Sequence, residues 1–135
     1  MRRRMARAAK AAIAALPAKS WNSVARKRPR LELSVSILSS AQIRKVNRQF
    51  RGKDKATDVL SFPAPEVPGS FAAGDLLICP AVAKTQLKDF GTTYPEELER
   101  LVVHGVLHLF GYDHETNARD AKRMFALQEK ILRSL

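Results

Sequence analysis

All three histidines of the 135-residue chain, His104, His108 and His114, fall inside one short stretch, HGVLHLFGYDH. His104 and His108 stand four residues apart, so on a helix both imidazoles leave one face about a turn apart. Gly111 then supplies a left-handed stop, after which the chain can turn and return His114 to the same point. Neutral imidazole nitrogen suits Zn²⁺ at about 2.0–2.1 Å, and three protein ligands with a fourth position open describe a catalytic rather than a structural site. Such an ion lowers the pKa of bound water to about 7 and polarises phosphoryl or carbonyl oxygens. A lone histidine is usually a satisfied core residue, but the pattern H-x3-H-x5-H takes up every histidine the chain has. Asp113 has two readings: a partner that orients an imidazole or moves a proton, or a turn residue.

Two other zinc chemistries fit less well. A metallopeptidase of the H-E-x-x-H kind places its general base directly after the first histidine, and that position is Gly105. Cys79 is the single cysteine, so neither an intramolecular disulfide nor a four-cysteine site is possible. As a fourth ligand it would close the coordination sphere and favour a zinc-stabilised RNA-binding or ribosome-associated factor without catalysis. A cysteine in an apolar strand is more often core.

A second concentration of chemistry is NRQFRGKDKATDVLSFP, residues 47 to 63. Arg51 offers a planar fork of donors for phosphate oxygens, with the point charges of Lys53 and Lys55 beside it. The same composition also describes a solvated turn.

These residues need elements to position them. Residues 5–16 read as a basic, alanine-rich amphipathic helix ended by Pro17, followed by a basic loop. LELSVSIL alternates, with Leu31, Leu33, Val35 and Ile37 on the buried face of a strand. Ser39 or Ser40 caps a helix with Ile43, Val46 and Phe50 on its apolar stripe. TDVLSFP and GDLLICP read as buried strands, and PAPEVPGSFAAG between them as a loop of the kind that forms lids or binding elements. Thr93 and Glu96 form a capping-box pattern that starts a buried central helix, carrying Leu98, Leu101, Val102, Gly105 and Leu109 and stopped by Gly111. From about Thr116 to Leu135 an outer helix places Ala121, Met124, Phe125, Ile131, Leu132 and Leu135 on one stripe. The expected fold is a single α+β domain with α/β-like layers: a small mixed sheet of three to four strands, packed by about five helices, with the site on the central one.

The formal net charge is +11, and residues 1–50 hold 13 of the 24 Lys+Arg against the single acid Glu32. Such a one-sided field favours a polyanion, nucleic acid or anionic membrane, although a basic tail that merely solubilises has the same composition. No stretch approaches the 18 or more apolar residues of a membrane span. The alanine run is too short and too polar for a secretory h-region, while an organellar transit peptide shares its Arg-rich, acid-free make-up. One cysteine and no export signal suit a cytoplasmic protein.

Together the two motifs resemble the YbeY family of single-domain, zinc-dependent endoribonucleases that act in ribosomal RNA maturation. The signature H-G-x-L-H-L-x-G-Y-D-H is matched at every defined position by His104, Gly105, Leu107, His108, Leu109, Gly111, Tyr112, Asp113 and His114. The upstream pattern is matched from Asn47 to Pro63, except that Ala56 stands where proline is usual, a change that frees the unfolded chain and touches no ligand. The resemblance spans about residues 31–132. It implies one Zn²⁺ held by His104, His108 and His114, and Arg51 facing the metal as the essential basic residue; Asp113 stays a second catalytic candidate on its position beside His114. Lys53, Lys55, Thr57 and Ser61 are then candidate RNA contacts. The implied substrate is single-stranded ribosomal RNA, near the 3′ end of the small-subunit molecule, and the implied partners are small-subunit ribosomal proteins or an assembly GTPase.

Overall fold

The computed structural model describes residues 1–16, 31–65 and 67–135. The Pro17 stop and the basic loop at 25–30 lie outside the described residues. Six helices and three strands are found among those described: α1 (Arg2–Ala15), β1 (Glu32–Ile37), α2 (Ser40–Arg51), β2 (Val59–Pro63), β3 (Ala72–Ile78), α3 (Pro80–Thr85), α4 (Leu87–Phe90), α5 (Tyr94–Leu109) and α6 (Ala118–Arg133). The sheet is mixed as expected, in the order β1-β3-β2, with β1 parallel and β2 antiparallel to β3. The helix count exceeds the expected five because residues 80–90 fold into two short helices whose length is below what periodicity resolves.

Alternation along the strands splits the apolar residues between two layers. Leu76 and Ile78 of β3 face the larger core, where they meet Leu98, Leu101, Val102 and Val106 of α5, Met124 and Ile131 of α6, and Ala8 and Ala12 of α1. Leu60 of β2 and Cys79, just past β3, join Ile43 of α2 in a smaller cluster. The central helix is therefore buried as expected.

Three expectations need correcting, and one alternative falls away. Helix α1 is amphipathic as expected and not a solubilising tail: Ala8, Ala12 and Leu16 are buried in the main core, and Arg4 pairs with Glu99 of α5. The alanines provide that close approach between helices, a packing role that the charge of the segment masks in the sequence. Ile37, at the end of the edge strand β1, is 53% exposed rather than buried. Phe50 is 64% exposed, because the last turn of α2 leaves only an edge-on contact with Phe62, 5.6 Å between centroids. The proline-rich loop shrinks to residues 64–71 between paired strands, and none of its described residues lines the cleft discussed below.

The layers come close together at Gly105. A Cβ there would lie 2.7 Å from Cδ2 of the fully buried Leu76 and 3.3 Å from the Ser61 hydroxyl. The Ser61 hydroxyl donates to the Gly105 carbonyl at 3.2 Å, tying β2 to the middle of α5. This contact leaves no room for the carboxylate that an H-E-x-x-H peptidase carries at the same place. We expect Gly105→Ala to overpack this contact and cost about 1–3 kcal/mol. A denaturant midpoint unchanged from the parent protein would contradict the close approach.

Candidate metal centre

Helix α5 is fixed at both ends by its own sequence. The Thr93 side chain accepts from the Glu96 N–H, and the Glu96 carboxylate accepts from the Thr93 N–H, a reciprocal cap. At the other end Gly111, with φ of 92°, donates to the His108 carbonyl while Tyr112 donates to that of Leu107. This is the paired Schellman closure, which requires a left-handed residue. It reverses the chain within three residues of His114.

The three imidazoles converge. Ring centroids are 4.7 Å apart for His104 and His108, 5.1 Å for His104 and His114, and 5.0 Å for His108 and His114. One ring nitrogen from each lies within 4.8 Å of the others. His108 Nε2 and His114 Nδ1 are only 3.1 Å apart. His104 Nδ1 meets Gln128 Oε1 at 2.8 Å, and because an amide oxygen only accepts, the proton sits on Nδ1 and leaves Nε2 its lone pair. Burial pushes His104 down to about 4, and it lowers His108 too, with the neighbouring His114 adding to the effect. Both are neutral near pH 7, the form that can ligate. Three imidazole nitrogens held this closely fit a divalent cation with a preference for such donors.

The histidines form one wall of a cleft of about 840 Å³, and Arg51, Thr57, Asp58 and Ser61 lie along it as well. Arg51, the last residue of α2, points toward Glu115 with 3.9 Å between charged atoms, so its guanidinium remains available to an anion. Thr57 lines the cleft, and its hydroxyl donates to Asp58 at 3.4 Å. Lys53 and Lys55 are exposed and stand outside the cleft lining. Their loop is pinned by the buried Asn47, whose Nδ2 donates to the Lys55 carbonyl at 2.9 Å. The Asp113 carboxylate accepts from the Glu115 N–H at 2.8 Å and the Thr116 hydroxyl at 2.6 Å, and the Thr116 bond holds it below the usual carboxylate range. It closes the turn that carries His114. Cys79 is fully buried in the smaller apolar cluster and is absent from the donor set, which removes it as a fourth ligand.

Sequence reasoning missed the groups that hold these residues in place. Gln128 is buried and orients His104, and the available signal was a polar residue sitting four after Met124 and three before Ile131 on an apolar stripe. Glu97, fully buried on α5, makes a two-pronged pair with Arg100, whose terminal nitrogen also lies 3.6 Å from Asp58. Phe125, expected in the core, is instead 44% exposed in the cleft, 5.6 Å from the His114 ring.

The depressed His104 value fixes a sign for acid sensitivity. The unfolded chain, with histidine near 6.5, binds more protons than the folded one between that pH and about 4, so stability falls as pH drops through this window. For the metal-free protein we expect a loss on the order of 2 kcal/mol, discounted for partial exposure of the ring. Urea midpoints at successive pH values, with ring NMR showing His104 neutral at pH 5.5, measure it. Protonation of His104 at pH 6 or above contradicts the burial.

Over residues 3–135 the chain matches the endoribonuclease YbeY family. Endoribonuclease YbeY of Sulfurihydrogenibium sp. is 50% identical over 107 residues, which cover 78% of this chain and 70% of that protein. The protein of the same name from Persephonella marina is 44% identical over 108 residues, 78% of this chain and 71% of that one. A Thermotoga maritima protein solved in solution superimposes with a TM-score of 0.55 at 36% identity, covering 82% of this chain and 72% of that one. A match that begins inside α1, takes in both cleft walls and runs through α6 makes this chain a member of the endoribonuclease YbeY family.

Proposed function

We propose that the cleft cuts phosphodiester bonds within single-stranded RNA, with one Zn²⁺ held by His104, His108 and His114, during maturation of the small-subunit ribosomal RNA 3′ end and ribosome quality control. The observation that carries this reading is the convergence of three nitrogen donors in an open cleft that Arg51 also lines. Bound there, the ion supplies Lewis-acid polarisation of a phosphoryl oxygen. The chain's own residues do the rest. Arg51 holds a non-bridging phosphate oxygen and offsets charge as it develops. Gln128 keeps the His104 ring turned so that Nε2 faces the cleft, and Asp113 acts by holding the turn of His114. Thr57 and Ser61 line the path of the strand, while Lys53 and Lys55 attract its backbone from outside the cleft.

Phosphate contacts position a strand but do not read its sequence. The choice of site therefore falls to RNA shape and to partners, for which small-subunit ribosomal proteins or an assembly GTPase are the candidates. No described helix is long and apolar enough to cross a membrane, and a ribosomal substrate is compatible with the cytoplasm and equally with an organelle. Nothing favours a purely structural metal, since the one cysteine that would close the coordination sphere is buried elsewhere.

Two substitutions test the assignment. His108→Ala is expected to reduce bound metal from about one per chain to near zero and to abolish cleavage together; near-stoichiometric metal in that variant overturns the ligand set. Arg51→Ala is expected to keep metal and thermal stability while kcat/KM for a single-stranded oligonucleotide falls by about 10²–10³-fold. Unchanged turnover removes Arg51 from the reaction.

A further inference from the structure

Large apolar side chains at the surface are ordinary when scattered, but two aromatic ones share the cleft here. Of the six large hydrophobic residues that are well exposed among those described, three are phenylalanines: Phe50, Phe90 and Phe125. Phe90 at 62% and Phe125 at 44% exposure both line the cleft. An exposed phenylalanine ring costs hydration without contributing to the core, so two of them beside a cationic, histidine-lined cleft call for an occupant with an apolar flat face.

The surroundings of each ring narrow the occupant. Phe125 lies 6.2 Å from His104 at an interplanar angle of 26° and 5.6 Å from His114, so one side is backed by the imidazoles and the other is open. Phe90 is backed by the Arg100 guanidinium, 5.5 Å from its centroid, and Arg100 is itself anchored by the buried Glu97. Gly91, with φ of 58°, ends α4 directly after Phe90 and fixes the direction in which the ring leaves the chain. Arg100 and His104 are one turn apart on α5, so the two rings are supported at successive levels of one helix. An aromatic face open to solvent is what proteins use to hold a splayed, unstacked base.

We propose that Phe90 and Phe125 are nucleobase platforms: each stacks one unpaired base of the RNA strand, so that the intervening backbone is drawn across the histidine wall. This rests on the endoribonuclease reading and goes beyond it by naming the side chains that distinguish unpaired from paired RNA. In a duplex both faces of each base are already stacked, and neither ring can be used without unstacking it. Phosphate contacts from Arg51 and the lysines are common to both forms, so the discrimination is carried by the rings.

The experiment uses the metal-loaded protein and a single-stranded RNA oligonucleotide carrying 2-aminopurine, whose fluorescence is quenched when it stacks. Quenching is read by stopped flow before turnover, and KM and kcat are then measured on the same strand. For Phe90→Ala and Phe125→Ala we expect weaker quenching and KM raised about tenfold, with kcat changed less than threefold, and recovery in Phe90→Tyr and Phe125→Tyr. A strand with abasic nucleotides beside the cut should behave in the parent protein as the normal strand does in the alanine variants. Parent-like KM and quenching in both alanine variants overturn the proposal and leave the rings as a surface for a protein partner. Equal KM for abasic and base-bearing strands overturns it as well. Quenching by the parent protein without cleavage would support the platforms while overturning the nuclease reading, so the two fail separately.

Discussion

The structure depends on a helix that is buried on most of its circumference and must still present two imidazoles to solvent. Burial of a polar group costs free energy unless it finds a partner. Helix α5 carries four such groups inside or at the edge of the core; one is met within the helix and three from other elements. Glu97 is met by Arg100 and, through it, by Asp58 at the start of β2; Glu99 by Arg4 of α1; His104 by Gln128 of α6; and the Gly105 carbonyl by Ser61 of β2. The helix is therefore tied to its neighbours by the same kinds of bond that orient its ligands. Position of the site and integrity of the core are set by one group of contacts.

The basic N-terminus takes on a different meaning in this light. Arg2, Arg3, Arg7 and Lys10 are exposed, but they sit on a helix whose alanine face is sealed against α5 and α6. Their charge is held at a fixed place on the surface instead of trailing in solvent. Because such attraction is screened within about 10 Å at 0.1 M salt, it serves the approach of a polyanion more than its final grip. The grip belongs to the cleft, where Arg51 acts at short range.

What could be read from the sequence was whatever is determined locally. The histidine spacing, the Thr93 cap, the Gly111 stop and the strand alternation all encode their outcome within a few residues, and each has its counterpart in the structure. Features that depend on what lies across the fold were not legible. Phe50 and Phe125 fit an apolar stripe as well as any core residue, and only the path of neighbouring elements decides that they face out. Gln128 looks like a surface residue until α6 is laid against His104. The alanines of α1 carry too little hydrophobic signal to announce burial, yet their small size is what admits the helix to the core.

The Gly105 contact shows why fold and chemistry cannot be varied independently here. Metal–nitrogen bonds tolerate only about 0.2 Å of error, and side chains on a rigid helix move with its backbone. At Gly105 the helix backbone comes so near the sheet that even one methyl group would overlap Leu76. The residue adjoining a ligand thus permits close packing of α5 on the sheet, from which His104 and His108 face His114 on its separate turn. A glycine next to the first histidine thus lets α5 pack closely on the sheet at the level of the ligands. The absent carboxylate that argues against peptide hydrolysis and the close layer spacing are consequences of the same missing side chain.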